Sequence, residues 1–136
     1  MKLKPIDRRT GLSAEEFKEE YLKPRKPVVF TDLVSDWPAT EKWTFDWLRE
    51  NYGHLDVPLY GNDFHQAGKY YMSAKRHMKF GDYLTMIENG PTELRMFLYN
   101  IFDHAPELVN DFHMPDIIKG WNKRYYYMFF GEKEVV

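Results

Sequence analysis

Arg124 to Phe130 reads RYYYMFF, a run with bulk on both of its faces that Gly131 closes. Successive side chains of a strand point to opposite sides, so a strand like this needs one layer above it and one below. Six residues follow, Gly131 to Val136. The pattern predicts a sheet whose covering layer is still to come after Val136, so that the sequence in hand is the front part of a larger fold.

The rest of the composition supports a folded chain. It has 136 residues, one domain's worth by length, and 18% are aromatic, which excludes intrinsic disorder. A net charge of −2 gives no footprint for nucleic acid or an anionic membrane. Without cysteine there is no disulfide framework, no thiolate zinc site and no Cys nucleophile. No apolar run is long enough to span a membrane, and no apolar stretch of a signal peptide follows Met1-Lys2-Leu3-Lys4-Pro5. The expectation is a soluble, cytoplasmic chain forming a single domain over 1–136.

Short strands and helices alternate along it. Ser13-Ala14-Glu15-Glu16 is a capping-box pattern. It opens a helix with Phe17, Tyr21 and Leu22 on one side, stopped near Lys23 by Pro24. Pro27 to Thr31 predicts a strand buried on both faces. Ser35 to Pro38 is a turn. Thr44 caps a helix bearing Phe45, Leu48 and Tyr52, with Gly53 as a left-handed stop. Val57 to Tyr60 is extended, and Pro58 confines it to an edge, a strand start or a bulge. Gly61-Asn62-Asp63 turns the chain, and Lys69 to Met72 predicts a weak strand. Phe80, Tyr83, Leu84 and Ile87 form an apolar stripe at helical spacing within 79–89, terminated by Gly90 and Pro91. Leu94 to Phe102 is a strand with Arg95, Phe97, Tyr99 and Ile101 on one face. Short helical turns are predicted at 104–112 and at Pro115 to Lys119.

Few residues carry an obvious chemistry. His54, His65, His77, His104 and His113 are scattered. His54-Leu55-Asp56 has the H-x-D spacing of an iron triad, which on a strand puts both side chains on one face. It lies in a loop between Gly53 and Pro58, however, and a solvated turn is the plainer reading. Asp111-Phe112-His113 shows the reverse order, and His104 beside Asp103 is read as helix-start chemistry. No G-x-S-x-G elbow and no phosphate loop is present. Lys23, Arg25 and Lys26 are read as a solvated turn. The aromatic run Tyr125 to Phe130 could stack a base or a planar cofactor, but without a basic groove it is read as core.

Several segments, in order, resemble one family. Lys26-Pro27-Val28-Val29-Phe30, Asp36-Trp37-Pro38-Ala39 and Lys42-Trp43 resemble the opening of the cupin-like JmjC hydroxylases of the factor-inhibiting-HIF type. Met78 to Leu84 resembles the helix before their substrate-side strand, and Leu94 to Asn100 resembles that strand. Tyr125 to Gly131, with Glu132 to Val136, resembles the lead into their iron motif. The resemblance implies an α+β fold, mainly antiparallel sheet with short helices, as the N-terminal part of a double-stranded β-helix (jelly roll). It implies Fe(II) and 2-oxoglutarate for a full-length hydroxylase acting on a protein side chain, an RNA base or a small molecule. The iron ligands are expected beyond Val136, so this chain alone is expected to bind neither group, to hold no catalytic or metal residue and to be inactive.

By position, the resemblance places Phe97 where the family commonly has a Tyr that touches 2-oxoglutarate. It places Tyr60 and Tyr99 near the substrate. Two other classes stay open: a non-catalytic module that pairs through a strand edge, and a cupin-type binder of small ligands. An uncovered last strand also predicts a homodimer or poor solubility.

Overall fold

The computed structural model describes residues 4–62, 73–117 and 126–131. The chain divides into two compact units, Met1–Glu41 with Asn110–Lys123, and Lys42–Val109 with Arg124–Val136.

In the first unit β1 (Asp7–Arg9) lies parallel to β2 (Val28–Phe30), with Asp7 opposite Val28 and Arg9 opposite Phe30. The charged Asp7-Arg8-Arg9 gave no strand signal, since it lacks the β-branched and aromatic residues that mark one. Helix α1 (Ala14–Phe17) starts at the expected capping box: Glu16 N–H donates to Ser13 Oγ at 3.2 Å, and Ser13 N–H donates to Glu16 Oε2 at 2.9 Å. The Ser13 hydroxyl, which also donates to this carboxylate, holds the Glu16 carboxyl below its ordinary range.

Lys18–Leu22 continues α1 in a wider winding, in which Lys23 N–H reaches back five residues to Lys18 O at 2.9 Å. Tyr21 is buried there, but Leu22 is 53% exposed, against the expectation that they share one packed side. The wide turn aims Tyr21 inward and leaves Leu22 over solvent. The Tyr21 hydroxyl accepts from Arg9 Nη1 at 2.9 Å and donates to Asp7 Oδ2 at 3.2 Å. Lys26 stands 5.1 Å from the centre of the same ring and pairs with Asp7. Strand β2 is half-buried along its length rather than buried on both faces, because its sheet is only two short strands.

The second unit carries the larger core. A single helical turn, α2 (Ala39–Lys42), leads towards it. Helix α3 (Phe45–Tyr52) begins at Thr44, whose Oγ1 accepts from Trp47 N–H at 3.2 Å. Then follow β3 (Asp56–Tyr60), β4 (Arg76–Lys79), α4 (Phe80–Glu88), β5 (Arg95–Tyr99) and β6 (Met128–Phe130). The strands form an antiparallel sheet in the order β4-β3-β5-β6. The expected stripe Phe80, Tyr83, Leu84 and Ile87 is buried in one cluster with Leu48, Val57, Leu59 and Met96. Helices α3 and α4 therefore cover one face of the sheet. The weak strand expected at Lys69–Met72 lies outside the described residues. So do Arg124 and Tyr125, and Ile118 and Lys119 of the predicted turn at Pro115–Lys119.

Two local expectations are corrected. Gly53 is not a left-handed stop, since its φ is −58°. Its lack of a side chain serves a close approach instead. Gly81 N–H donates to Gly53 O at 3.0 Å, and a Cβ on Gly53 would lie 2.2 Å from Arg49 O and 3.3 Å from Gly81 Cα.

Pro58 lies in an inner strand, not at an edge. Leu55 O and Leu59 O accept from Phe80 N–H and Lys75 N–H, both at 2.8 Å, so the odd-numbered residues bond towards β4. The missing donor of Pro58 therefore points to the β5 side, where pairing covers only Leu59 and Tyr60.

The buried Tyr83 hydroxyl joins α4 to two strands. It donates to Phe130 O at 2.8 Å and accepts from Met96 N–H at 3.3 Å. Tyr83→Phe leaves both backbone groups buried and unsatisfied, so urea unfolding should show a loss of about 1–3 kcal/mol. A midpoint unchanged from wild type would show that the hydroxyl ties nothing together. Gly53→Ala forces a Cβ into the Arg49 carbonyl and should cost roughly 1–3 kcal/mol in the same assay.

Candidate functional site: the aromatic face of the sheet

The face of the sheet away from α3 and α4 is built by alternation. Leu59 is buried, so Tyr60 turns to the other side; Met96 is buried, so Arg95 and Phe97 do the same. On β6, Met128 is buried and Phe129 is 57% exposed. The three rings form a row across three strands. Tyr60 meets Phe97 edge-on at 5.8 Å between ring centres, and Phe97 meets Phe129 edge-on at 5.5 Å. Edge-to-face pairs of this kind contribute roughly 0.5–1.5 kcal/mol beyond burial, so the row is ordered rather than loose. The Arg95 guanidinium stands 5.9 Å from the centre of the Phe97 ring. Among the described residues the Tyr60 hydroxyl makes no hydrogen bond.

Two of the three expected site residues, Tyr60 and Phe97, are thus in contact. Tyr99 is not with them, although strand alternation predicted a shared face with Phe97. It is only 9% exposed and belongs to the core. Met96 stands opposite Phe130, and Tyr99 stands opposite Met128, so three steps along β5 match two along β6. Leu98, with φ +51°, takes up the extra step. The Tyr99 ring stacks on His104 at 5.8 Å and 11°. Burial, then Asp56 and Asp103, push the Tyr99 phenol above its ordinary pKa. Phe129 was missed as a site residue because every neighbour in its run is apolar, and such a run does not show which face is covered.

The histidine motifs separate. His54 lies in the turn before β3, and Asp56 is the first residue of that strand, so the two do not share a strand face. The Asp56 carboxylate accepts from Lys79 Nζ at 2.9 Å. His104 ends the turn Ile101–Asp103 and does not start a helix. Asp111 is buried, whereas His113 is exposed and 3.5 Å from Asp36. Among the described residues no group of three His, Asp or Glu side chains could hold a metal ion. The ring of Phe97 also offers no hydroxyl to a 2-oxo acid. These residues do not fit iron or that co-substrate contact. No described helix is long and apolar enough to cross a membrane.

Comparison with known proteins names the arrangement. The cupin-like domain family matches residues 13–131. The chain belongs to that family. This cupin-like domain is 29% identical to lysine-specific demethylase JMJ21 of Arabidopsis thaliana over 84% of the chain and 11% of the relative. It is 31% identical to lysine-specific demethylase JMJ30 of the same plant, over 83% of the chain and 27% of the relative. It is 28% identical to the bifunctional arginine demethylase and lysyl-hydroxylase psr-1 of Caenorhabditis elegans, over 87% and 31%. The chain spans less than a third of each of these relatives. The cupin-like domain is therefore of the JmjC type, a family of iron(II)- and 2-oxoglutarate-dependent oxygenases. Its α+β fold, with an antiparallel sheet and short helices, is part of a jelly roll, and the described strands do not close a barrel.

At the end of α3, the Tyr52 hydroxyl donates to Glu107 Oε1 at 2.7 Å and holds that carboxyl below its ordinary range. A lowered folded pKa contributes stability that is complete above the unfolded value and is lost as pH falls through the folded one. Tyr52→Phe should return the Glu107 titration, followed by NMR, towards that of an ordinary glutamate. It should also remove this part of the acid sensitivity. An unmoved titration would mean that the hydrogen bond does not form in solution.

Proposed function

We propose that this domain is the substrate-side part of an iron(II)- and 2-oxoglutarate-dependent oxygenase that oxidises a protein side chain. The family match over residues 13–131 carries the reading, and the names of the relatives, lysine and arginine demethylases and a lysyl-hydroxylase, favour a basic side chain. The row Tyr60, Phe97 and Phe129 on the face away from α3 and α4 supports it. Those rings would flank the apolar stem of the incoming side chain, and the free Tyr60 hydroxyl would fix its register by one hydrogen bond. The metal and the oxidising chemistry belong, on this reading, to a longer protein of which residues 1–136 are one part.

The test is an assay of the full reading frame with iron(II), 2-oxoglutarate and peptides bearing lysine, arginine or their methylated forms. Succinate release matched by a mass change on the peptide is expected, and residues 1–136 alone should give none. Phe97→Ala should raise KM about tenfold or more, the worth of one aromatic contact. Failure of every such peptide to stimulate 2-oxoglutarate consumption would remove the proposal.

A further inference from the structure

Strand β5 does not alternate regularly, and its irregularity lies within the aromatic row. Phe97 is on the face away from α3 and α4, the next residue has φ +51°, and Tyr99 is buried with Met96. In a regular strand Tyr99 would share the face of Phe97. The register explains the departure: the pair Phe97 and Leu98 stands opposite the single residue Phe129, between the pairs Met96–Phe130 and Tyr99–Met128. Leucine is a poor residue for a left-handed backbone, which Gly or Asn takes at little cost. A bulge held against that preference, beside a candidate site, re-aims a side chain.

We infer that Leu98 is the inserted residue of β5 and that the bulge absorbing it keeps Tyr99 on the core side, so that the ligand side presents the Phe97 ring without a second phenol beside it. Among the three rings of the row, Tyr60 then carries the one hydroxyl, and an occupant meets a largely aromatic surface whose polar groups are that hydroxyl and the Arg95 guanidinium beside Phe97. Such a surface favours a long apolar stem with a polar end over a polyhydroxylated group. The inference rests on the proposed function only in treating this face as the ligand side. The register is tested on the chain itself, so a failed oxygenase assay leaves it standing.

Two sets of variants test it. If Leu98 is left-handed, Leu98→Gly should unfold at a higher urea concentration than Leu98→Val, the reverse of the order in a regular strand. If Leu98 is the extra residue, its deletion should leave a folded protein, because Met96–Phe130, Phe97–Phe129 and Tyr99–Met128 then become successive pairs of a regular ladder. Tyrosine nitration mapped by mass spectrometry supplies the positional readout. Tyr99 should react roughly tenfold more slowly than the exposed Tyr127, both in the wild type and in the deletion, as expected for a ring released only by local opening. Three results would each overturn the inference: Val more stable than Gly at 98, a deletion variant that does not fold, or Tyr99 nitrated as fast as Tyr127 in either protein.

Discussion

The Tyr83 hydroxyl sits where α4 lies against two strands and satisfies backbone groups on both. Its position under the sheet follows from the stripe Phe80, Tyr83, Leu84 and Ile87, which turns one side of α4 wholly inward. A polar atom so deep must find partners. Those it finds lie on β5 beside Phe97 and on β6 beside Phe129. The covered face thereby sets the register of the two strands whose other side carries the aromatic row. Packing on one side and the candidate site on the other are two aspects of a single constraint.

The difference between the two faces gives the site its character. Towards α3 and α4 the sheet presents Val57, Leu59 and Met96, all essentially inaccessible. Away from them it presents rings in edge-on contact, one of them more than half exposed. An isolated apolar residue on a surface calls for no explanation, whereas a row of aromatic side chains across three strands does. In a jelly roll the inner face of a sheet looks across to a second sheet.

Much of this was legible in the residues. The capping box at Ser13, the Thr44 cap and the α4 stripe follow from short-range rules, and each stands where those rules put it. What escaped depends on partners far along the chain. Charged Asp7-Arg8-Arg9 becomes a strand only because Val28–Phe30 offers a parallel partner. Arg76–Lys79 is extended because β3 lies beside it. For the candidate site, Tyr60 and Phe97 could be picked out, but the placement of Tyr99 could not. A bulge is a mismatch between two strands, and neither strand shows it alone.

The junction of β4 and α4 has a mechanical consequence. Lys79 is both the last residue of the strand and the residue that opens the helix, with no loop between them. One residue more or fewer at that point would rotate the whole helix by about 100°, a turn being 3.6 residues, and swing its inward side out from under the sheet. With no loop between them, β4 leads within two residues to the Gly53–Gly81 contact, so any shift of the outer strand along its axis bears directly on that close backbone approach.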